Sequence, residues 1–495
     1  MWERLRTIWR SAAPAVIPPP SAGLVSRVQA RGSAYEAGSS AQPRTTDWNV
    51  PDVSANAATA TAETIRRRCR DAVRNDAWAK AIVETLVDDV IGWGVKPLSR
   101  AKAEPFRQAL QQRWDDWGAV ADADGVLDMA GLQALAVRNL VVDGETFIRL
   151  RRRKPEDGLP VSLQLQVLPA EICPDTHTMP ATAGGNVIRQ GIEYDAIGRR
   201  VAYWLREVPP GEDDTTRSSA NLHRVPADQV LHLFEPLRPG QRRGVSMLAA
   251  ALVRLRELDK YADATLLRLQ LSSMFVGTLK HQNLPGANYD PLTGEQVSDT
   301  PSTEIPSLRL APGTFQQLAP GEDLTFNRPP DPPLGFAEFV EHELRAAGAA
   351  VGVPLEAFTH RWGATNDRLA RVVLNQYRRR VHRLLWSIVV PQFLRPVWNT
   401  WFQLAVLQPG MPVPSLEDAA GRVTFAPHAH AYVHPVQDVT SYREAIRAGL
   451  TSRAAAVSET GEDVETIDAQ IAADNARADK LGLAFDSDSR PGGAR

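Results

Sequence analysis

The stretch SMLAAALVRLRELDKYADATLLRLQLSSM, residues 246–274, decides how this chain is organised. Leu248, Leu252, Leu255, Leu258, Ala262, Leu266 and Leu269 recur at steps of three and four, the period of one helix face. A second helix is expected over residues 336–351, FAEFVEHELRAAGAAV, stopped by Gly352-Val353-Pro354. Between the two the character changes. Pro285, Pro291, Pro301, Pro306, Pro312, Pro320, Pro329, Pro330, Pro332 and Pro333 punctuate short alternating runs such as Ser307–Leu310 and Thr314–Leu318. Proline has no amide to donate, and in a helix interior it kinks or breaks the helix. The insertion therefore reads as a small β-rich unit, and the flanking helices as a hairpin-like stalk that carries it.

N-terminal to the stalk, residues 60–240 read as one α+β domain. Helices are expected over Glu63–Val90, Glu104–Trp117 and Leu127–Val142 from their three- and four-residue apolar steps. The period then changes to two at Thr146–Leu150 and Leu163–Leu168, with further strands at Gly191–Asp195, Val201–Arg206 and Val230–Phe234, and a turn at Asp195-Ala196-Ile197-Gly198. Asp143-Gly144-Glu145 reads as a turn entering a strand rather than as a pair of catalytic carboxylates. Residues 1–60 read as an arm, since Pro14 and Pro18-Pro19-Pro20 stop any helix begun by Trp2, Leu5, Ile8 and Trp9.

C-terminal to the stalk, Phe358–Asn366 reads as a loop and Arg368–Val390 as a helix. Its pattern continues past Pro391 through Phe393, Val397, Trp401 and Leu404, so Pro391 is read as a kink. Pro409–Pro414 is a linker, Arg422–Phe425 a candidate strand, and Asp438–Leu481 a set of short helices joined at Gly449 and Gly461.

Composition narrows the function. The chain has 495 residues, 56 Lys+Arg against 58 Asp+Glu, and a net charge of −2. A protein that holds duplex DNA tightly neutralises many phosphates and carries a basic excess, so a high-affinity duplex binder is disfavoured. Cys69 and Cys173, the only cysteines, support neither a disulfide framework nor a thiolate zinc site. No apolar run approaches the roughly 18 residues of a membrane helix, and Met1-Trp2-Glu3-Arg4-Leu5-Arg6 lacks the apolar core of a signal peptide. A soluble protein in several parts is expected.

The candidate motifs carry no clear chemistry. Gly92-Trp93-Gly94 follows a helix, not the strand that a dinucleotide loop needs. Gly244-Val245-Ser246 does not continue into a nucleophile elbow. His428, His430 and His434 form the one histidine cluster, but with no acidic neighbour in sequence they read as a surface strand rather than a metal site. Arg66-Arg67-Arg68, Arg151-Arg152-Arg153 and Arg378-Arg379-Arg380 read as solvated faces or subunit ion pairs, with phosphate contact as the other reading.

Several segments, taken in order, resemble the portal proteins of tailed bacteriophages, specifically the lambda-like group. They are RDAVRNDAWA (70–79), DGETF (143–147), GIEYD (191–195), GRRVAYW (198–204), VPADQVLHLF (225–234), RPGQRRG (238–244), EAIRAGL (444–450) and ADNARAD (473–479). The likeness runs from about residue 45 to 490. It implies a portal-type α+β fold. A flexible arm (1–54) is followed by an α/β wing (55–243), a stem helix (244–279), a β-rich clip (280–333) and a second stem helix (334–352). A channel loop (353–368), a kinked helix returning to the wing (369–435), a helical crown (436–482) and a disordered tail (483–495) complete it.

The resemblance further implies a ring, twelve-fold in the working capsid, at one capsid vertex of the virion, assembled in the host cytoplasm. Double-stranded DNA would pass through the ring during packaging and ejection. Partners would be the terminase large subunit, the major capsid protein and a head–tail adaptor. No membrane, cofactor, metal or catalytic residue is implied. The channel-loop residues would be His360, Arg361, Trp362, Asn366 and Arg368; Trp362 either narrows the passage or packs under the loop against the stem. One departure is visible: where the family usually shows an Asp- and Ser-containing stretch before its Asn, this chain has FTHRWGATN (358–366). The alternatives from other classes are an α+β enzyme with an unrecognised site and another capsid-associated connector.

Overall fold

The computed structural model describes residues 52–181, 185–213, 215–274, 277–281, 292–293, 295, 322–326, 335–363, 366–412, 415, 417–429, 435–483, 485 and 490. The chain divides into residues 1–58 and 59–495. In the first unit the described residues include one short helical turn, Ala55–Ala58.

The second unit opens with α1 (Ala62–Asn75) and α2 (Ala77–Val90), not with one helix over Glu63–Val90. Asp76 breaks it. Its backbone is extended, and its carboxylate accepts the N–H groups of Trp78 and Ala79. A short acidic side chain satisfies a helix N-terminus better than a helix interior, so the apolar period runs through a junction it does not reveal. β1 (Lys96–Ser99), α3 (Glu104–Gly118) and α4 (Met129–Asp143) follow. α3 buries Phe106, Leu110, Trp114 and Trp117, the face its spacing predicts.

β2 (Glu145–Arg152) is the centre of a three-stranded antiparallel sheet, flanked by β3 (Leu163–Leu168) and later by β8 (Val230–Phe234). A second sheet runs β4 (Val187–Arg189), β5 (Ile192–Tyr194), β6 (Arg200–Arg206), β7 (Leu222–Pro226). The expected turn joins β5 to β6, where Asp195 accepts the N–H groups of Ile197, Gly198 and Arg199. β1, β4 and β7 are strands the sequence pattern does not announce. Each is at most five residues long at the edge of its sheet. Pro97 in β1 and Pro226 in β7 disguise them, since proline is tolerated at edges alone.

The stalk begins as α5 (Leu252–Met274), six residues later than the apolar stripe suggests. Residues 246–251 are held off the helix because Ser246 Oγ and the Met247 N–H both donate to the Val141 carbonyl at 3.1 Å. α5 leads to β9 (Gly277–His281), which pairs antiparallel with β10 (Glu322–Phe326), Gly277 opposite Phe326. This pair closes the base of the insertion; Ser307–Leu310 and Thr314–Leu318 lie outside the described residues. α6 (Phe336–Val351) returns antiparallel to α5. Tyr261 stacks on Phe336 at 5.6 Å, and Arg254 meets Glu343 at 2.8 Å.

After α7 (Leu355–Thr359) comes a long helical passage: α8 (Asp367–Leu384), a π-helical stretch Leu385–Leu394, and α9 (Arg395–Ala405). Pro391 lies inside the π-helical stretch. A π-helix is wider than an α-helix, and such stretches are one of the few ways a helical run continues past a proline. α9 sends Trp398 and Trp401 against Trp114 and Trp117 of α3, with ring centroids 4.9–6.2 Å apart. This tryptophan cluster holds the returning helix to the α+β part, where β11 (Val423–Ala426) pairs with β1.

His428 does not sit on a surface strand. It is buried on an irregular segment after β11, with its ring edge-on to Trp93 at 5.5 Å and pressed over Gly92, whose Cβ would meet it at 2.5 Å. His430 and His434 lie outside the described residues. Among the described residues no group of three or more His, Cys, Asp or Glu is placed to hold a metal ion, and no helix is long and apolar enough to cross a membrane. α10 (Pro435–Arg447), α11 (Arg453–Glu459) and α12 (Val464–Leu481) end the fold, jointed at Gly449 and Gly461 as the sequence indicates.

Candidate nucleic-acid interface

The loop expected to meet DNA is built from a glycine turn, a short anchoring helix and an exposed bend. Gly352 ends α6 at φ 89°, a left-handed conformation that glycine adopts without strain. The Gly348 carbonyl accepts from both Gly352 and Val353. α7 then buries Leu355 and Phe358 in the main core, Phe358 meeting Trp78 edge-on at 6.4 Å. His360 closes α7 at φ 54°, uncommon for a residue with a side chain. From this bend the chain turns outward.

Of the five expected residues, His360, Arg361, Asn366 and Arg368 are exposed and Trp362 is half-buried; residues 364 and 365 lie outside the described set. Arg361 is 70% exposed and lies 3.4 Å from Glu341 of α6, a carboxylate that Arg345 also approaches at 2.8 Å. An exposed pair of this kind is worth about 1 kcal/mol or less, so the guanidinium exchanges one anion for another at little cost. Asn366 serves the fold itself, because its Oδ1 accepts the Leu369 N–H at 2.9 Å and caps α8.

Sequence reasoning missed a dense buried cluster of charges. Asp143-Gly144-Glu145 is the expected turn, Gly144 ending α4 at φ 87°, yet both carboxylates are buried. Glu145, 0% exposed, accepts Arg243 Nε at 2.9 Å and Nη2 at 2.5 Å, Arg66 Nη2 at 3.1 Å and the Gly244 N–H at 2.9 Å. His232 Nε2 stands 3.1 Å from Oε2, the oxygen that also accepts the Gly244 N–H. Arg243 also donates to the carbonyls of Ala170, Cys173 and Gln190. Beside this cluster Arg70 bridges Asp143, at 2.7 and 2.5 Å, and Glu171, at 2.8 and 2.6 Å.

Three carboxylates thus meet three guanidiniums, and the charges cancel only while His232 is neutral. Burial pushes the His232 pKa down to about 4, against the opposing pull of Glu145, so near pH 7 its Nε2–H donates to the carboxylate. Burial alone would raise Glu145, but Arg243 and His232 beside it hold its carboxyl well below the usual range. The cluster joins α1, the start of β2, β8 and the segment that enters α5. Gly144 and Gly244 allow the last of these crossings: a Cβ on Gly244 would stand 2.0 Å from the Gly144 carbonyl oxygen.

The basic triplets therefore divide. Arg66 is buried in the cluster, a correction to the solvated reading, while Arg67 and Arg68 are exposed. Arg151 and Arg153 pair with Gln166 and Gln164 across the sheet, and Arg380 meets Glu235 at 3.2 Å. The sequence signal that bears on the cluster is the density of charge in RPGQRRG and DGETF, two of the segments quoted for the family resemblance; its geometry needs six separate segments at once.

Residues 41–384 match the family model described as phage portal protein, lambda family. The chain is 24% identical over 435 residues to a probable portal protein of Halomonas phage phiHAP-1, covering 85% of this chain and 82% of that protein. It is 19% identical over 467 residues to portal protein B of Escherichia phage lambda, covering 86% and 85%. Among solved structures, a chain in the neck of a native gene transfer agent particle, computed with C12 symmetry, is 14% identical with a TM-score of 0.46, covering 80% of this chain and 91% of that one.

Two measurements test the buried cluster. Glu145→Gln leaves two buried guanidiniums under-compensated and should cost about 3–5 kcal/mol in urea unfolding, whereas Arg361→Ala should cost about 1 kcal/mol or less. For His232 the folded pKa lies below the unfolded value of about 6.5. Its contribution is therefore fully present above pH 6.5 and is lost as pH falls towards 4. His232→Gln keeps a donor but cannot titrate, so the drop in unfolding midpoint between pH 7.5 and 5 should shrink. An equal drop in both proteins would remove His232 from the acid response.

Proposed function

Because the chain belongs to the lambda family of phage portal proteins, we propose that twelve copies close into a ring at one capsid vertex, and that double-stranded DNA passes through its channel during packaging and ejection. The observation that carries this reading is the extent of the family match. Residues 41–384 include the α+β part, both stalk helices, the insertion and the loop in one order.

The physical features are compatible. A closed ring needs head-to-tail interfaces between unlike faces of each copy. The exposed Val253, Leu266, Leu267 and Leu271 along α5 supply apolar surface for them. A conduit must let DNA slide, and a net charge of −2 suits that better than a basic groove. In this reading residues 55–243 are the wing, 244–279 and 334–352 the stem, 280–333 the clip, 353–368 the channel loop, 369–435 the return to the wing and 436–482 the crown. The clip docks the terminase large subunit and then the head–tail adaptor, and the outer surface meets the major capsid protein. The role is structural: the work of translocation belongs to a separate ATPase.

Sedimentation and negative-stain imaging of the purified protein should show a closed ring. A monomer at micromolar concentration with no ring in the images would overturn the reading. If the loop brakes the duplex, Arg361→Ala combined with Arg368→Ala should assemble normally but retain packaged DNA poorly. That defect should grow as salt falls, because weaker screening enlarges both the lost attraction and the self-repulsion of packed DNA. Unchanged retention at low and high salt would take the loop out of the mechanism.

A further inference from the structure

α8 has the sequence DRLARVVLNQYRRRVHRL, with six arginines and one carboxylate, Asp367, at its first residue. Such a run within a chain of net charge −2 needs a reason. Its orientation is fixed by packing: Tyr377, Val381 and Leu384 are buried. At 100° per residue, Arg368, Val372, Arg379 and Arg383 fall within about 60° of arc on the opposite side, and all four are exposed, as are Asn375 and His382 beside them. Arg368 and Arg379 stand about 16 Å apart along the axis, a length over which a duplex presents about nine phosphate charges.

We propose that this exposed face of α8 is a second contact for the phosphate backbone of duplex DNA, continuing from the loop residue Arg361 through Arg368 to Arg379. The inference rests on the portal reading. Two observations favour a polyanion. The ionisable residues on the face, Arg368, Arg379, His382 and Arg383, are all basic. The helix starts where the exposed loop ends.

The strength of the contact is limited by the fold itself. Glu235 approaches Arg380 at 3.2 Å and Arg383 at 2.9 Å, neutralising the C-terminal end of the stripe. Arg368 and Arg379 are left as the principal cations on the face. A few weak, exchangeable phosphate contacts per subunit hold DNA against drift without stopping its passage, which a fully charged helix would not allow. Leu369 and Val372, both about half exposed near the start of the helix, make a second copy of the chain the competing occupant.

The test uses the assembled full-length protein and a fluorescein-labelled 40-base-pair duplex, with anisotropy read between about 50 and 300 mM NaCl. Arg379→Gln should weaken binding several-fold at the lowest salt and reduce the slope of log affinity against log salt. Arg379→Lys should restore both, and Arg443→Gln, on α10, should match the parent. Equal affinity and slope in Arg379→Gln and the parent would overturn the inference. So would loss of assembly in Arg379→Gln without weaker DNA binding by the rings that remain, which would assign the face to a neighbouring copy. If the parent protein forms no ring and binds no duplex, the portal reading itself fails; a parent that binds and a variant that binds equally well removes α8 alone.

Discussion

A carboxylate with no access to water, Glu145, is the constraint on which the rest of this structure depends. Its charge is costly to bury, and nothing local offsets the cost. Compensation comes from Arg66 on α1, Arg243 before α5, His232 on β8 and the Gly244 amide, all converging on one site. Those groups come from segments up to 99 residues away, so the cluster ties the start of the stalk to the α+β part. A buried ion pair is weak evidence for stability, because an apolar replacement often does as well. It is stronger evidence for uniqueness of position. A guanidinium that must reach Glu145 and three carbonyls at once leaves α5 one way to depart from the sheet.

That distinction explains what is legible in the sequence. α3, α4, β3 and α6 are readable because each hides one face, and a hidden face imposes its period on neighbouring residues; β2, β6 and β8 are readable as well, although adjacent residues in each are buried. β8 is readable to the residue, Val230–Phe234, and α6 likewise, Phe336–Val351. The break at Asp76 is not readable, since the apolar steps continue across it and the side chain that decides it is one residue. Nor is the delayed start of α5: Leu248 belongs to the stripe but is buried in a turn tethered to Val141. The charged cluster is least legible of all. Asp143-Gly144-Glu145 reads correctly as a turn, and local reasoning has nothing to add about what meets it from Arg66 or Arg243.

The candidate loop shows the opposite balance. Its place after Gly352-Val353-Pro354 and its residue types are visible in the sequence. Its anchoring is visible only in part. Phe358, which reads as the loop's first residue, is buried and ties α7 to Trp78, while the bend lies at His360. Asn366, whose type suggests a polar contact, ends as a helix cap. The exposed cations that remain are held weakly, as Arg361 is by Glu341, and this follows from position rather than composition, because they lie just beyond the core-anchored α7 and at the start of α8.

The two charged regions therefore obey one rule with different outcomes. Where water is excluded, each charge must find a fixed partner, and the cluster around Glu145 gains geometry at the expense of mobility. Where water is present, as at Arg361 and along α8, a charge is screened and its partners are exchangeable. A protein through which a polyanion moves needs both. In the proposed reading, a rigid joint would keep the stalk and loop in register as the load passes, and weak cations would let that load move on. An arrangement with the strong pairs at the surface and the weak ones inside would bind DNA too firmly and hold its own shape too loosely. On the proposed DNA contacts, the placement of Glu145 and Arg243 in the interior, and of Arg361, Arg368 and Arg379 outside, is the arrangement that would avoid both faults.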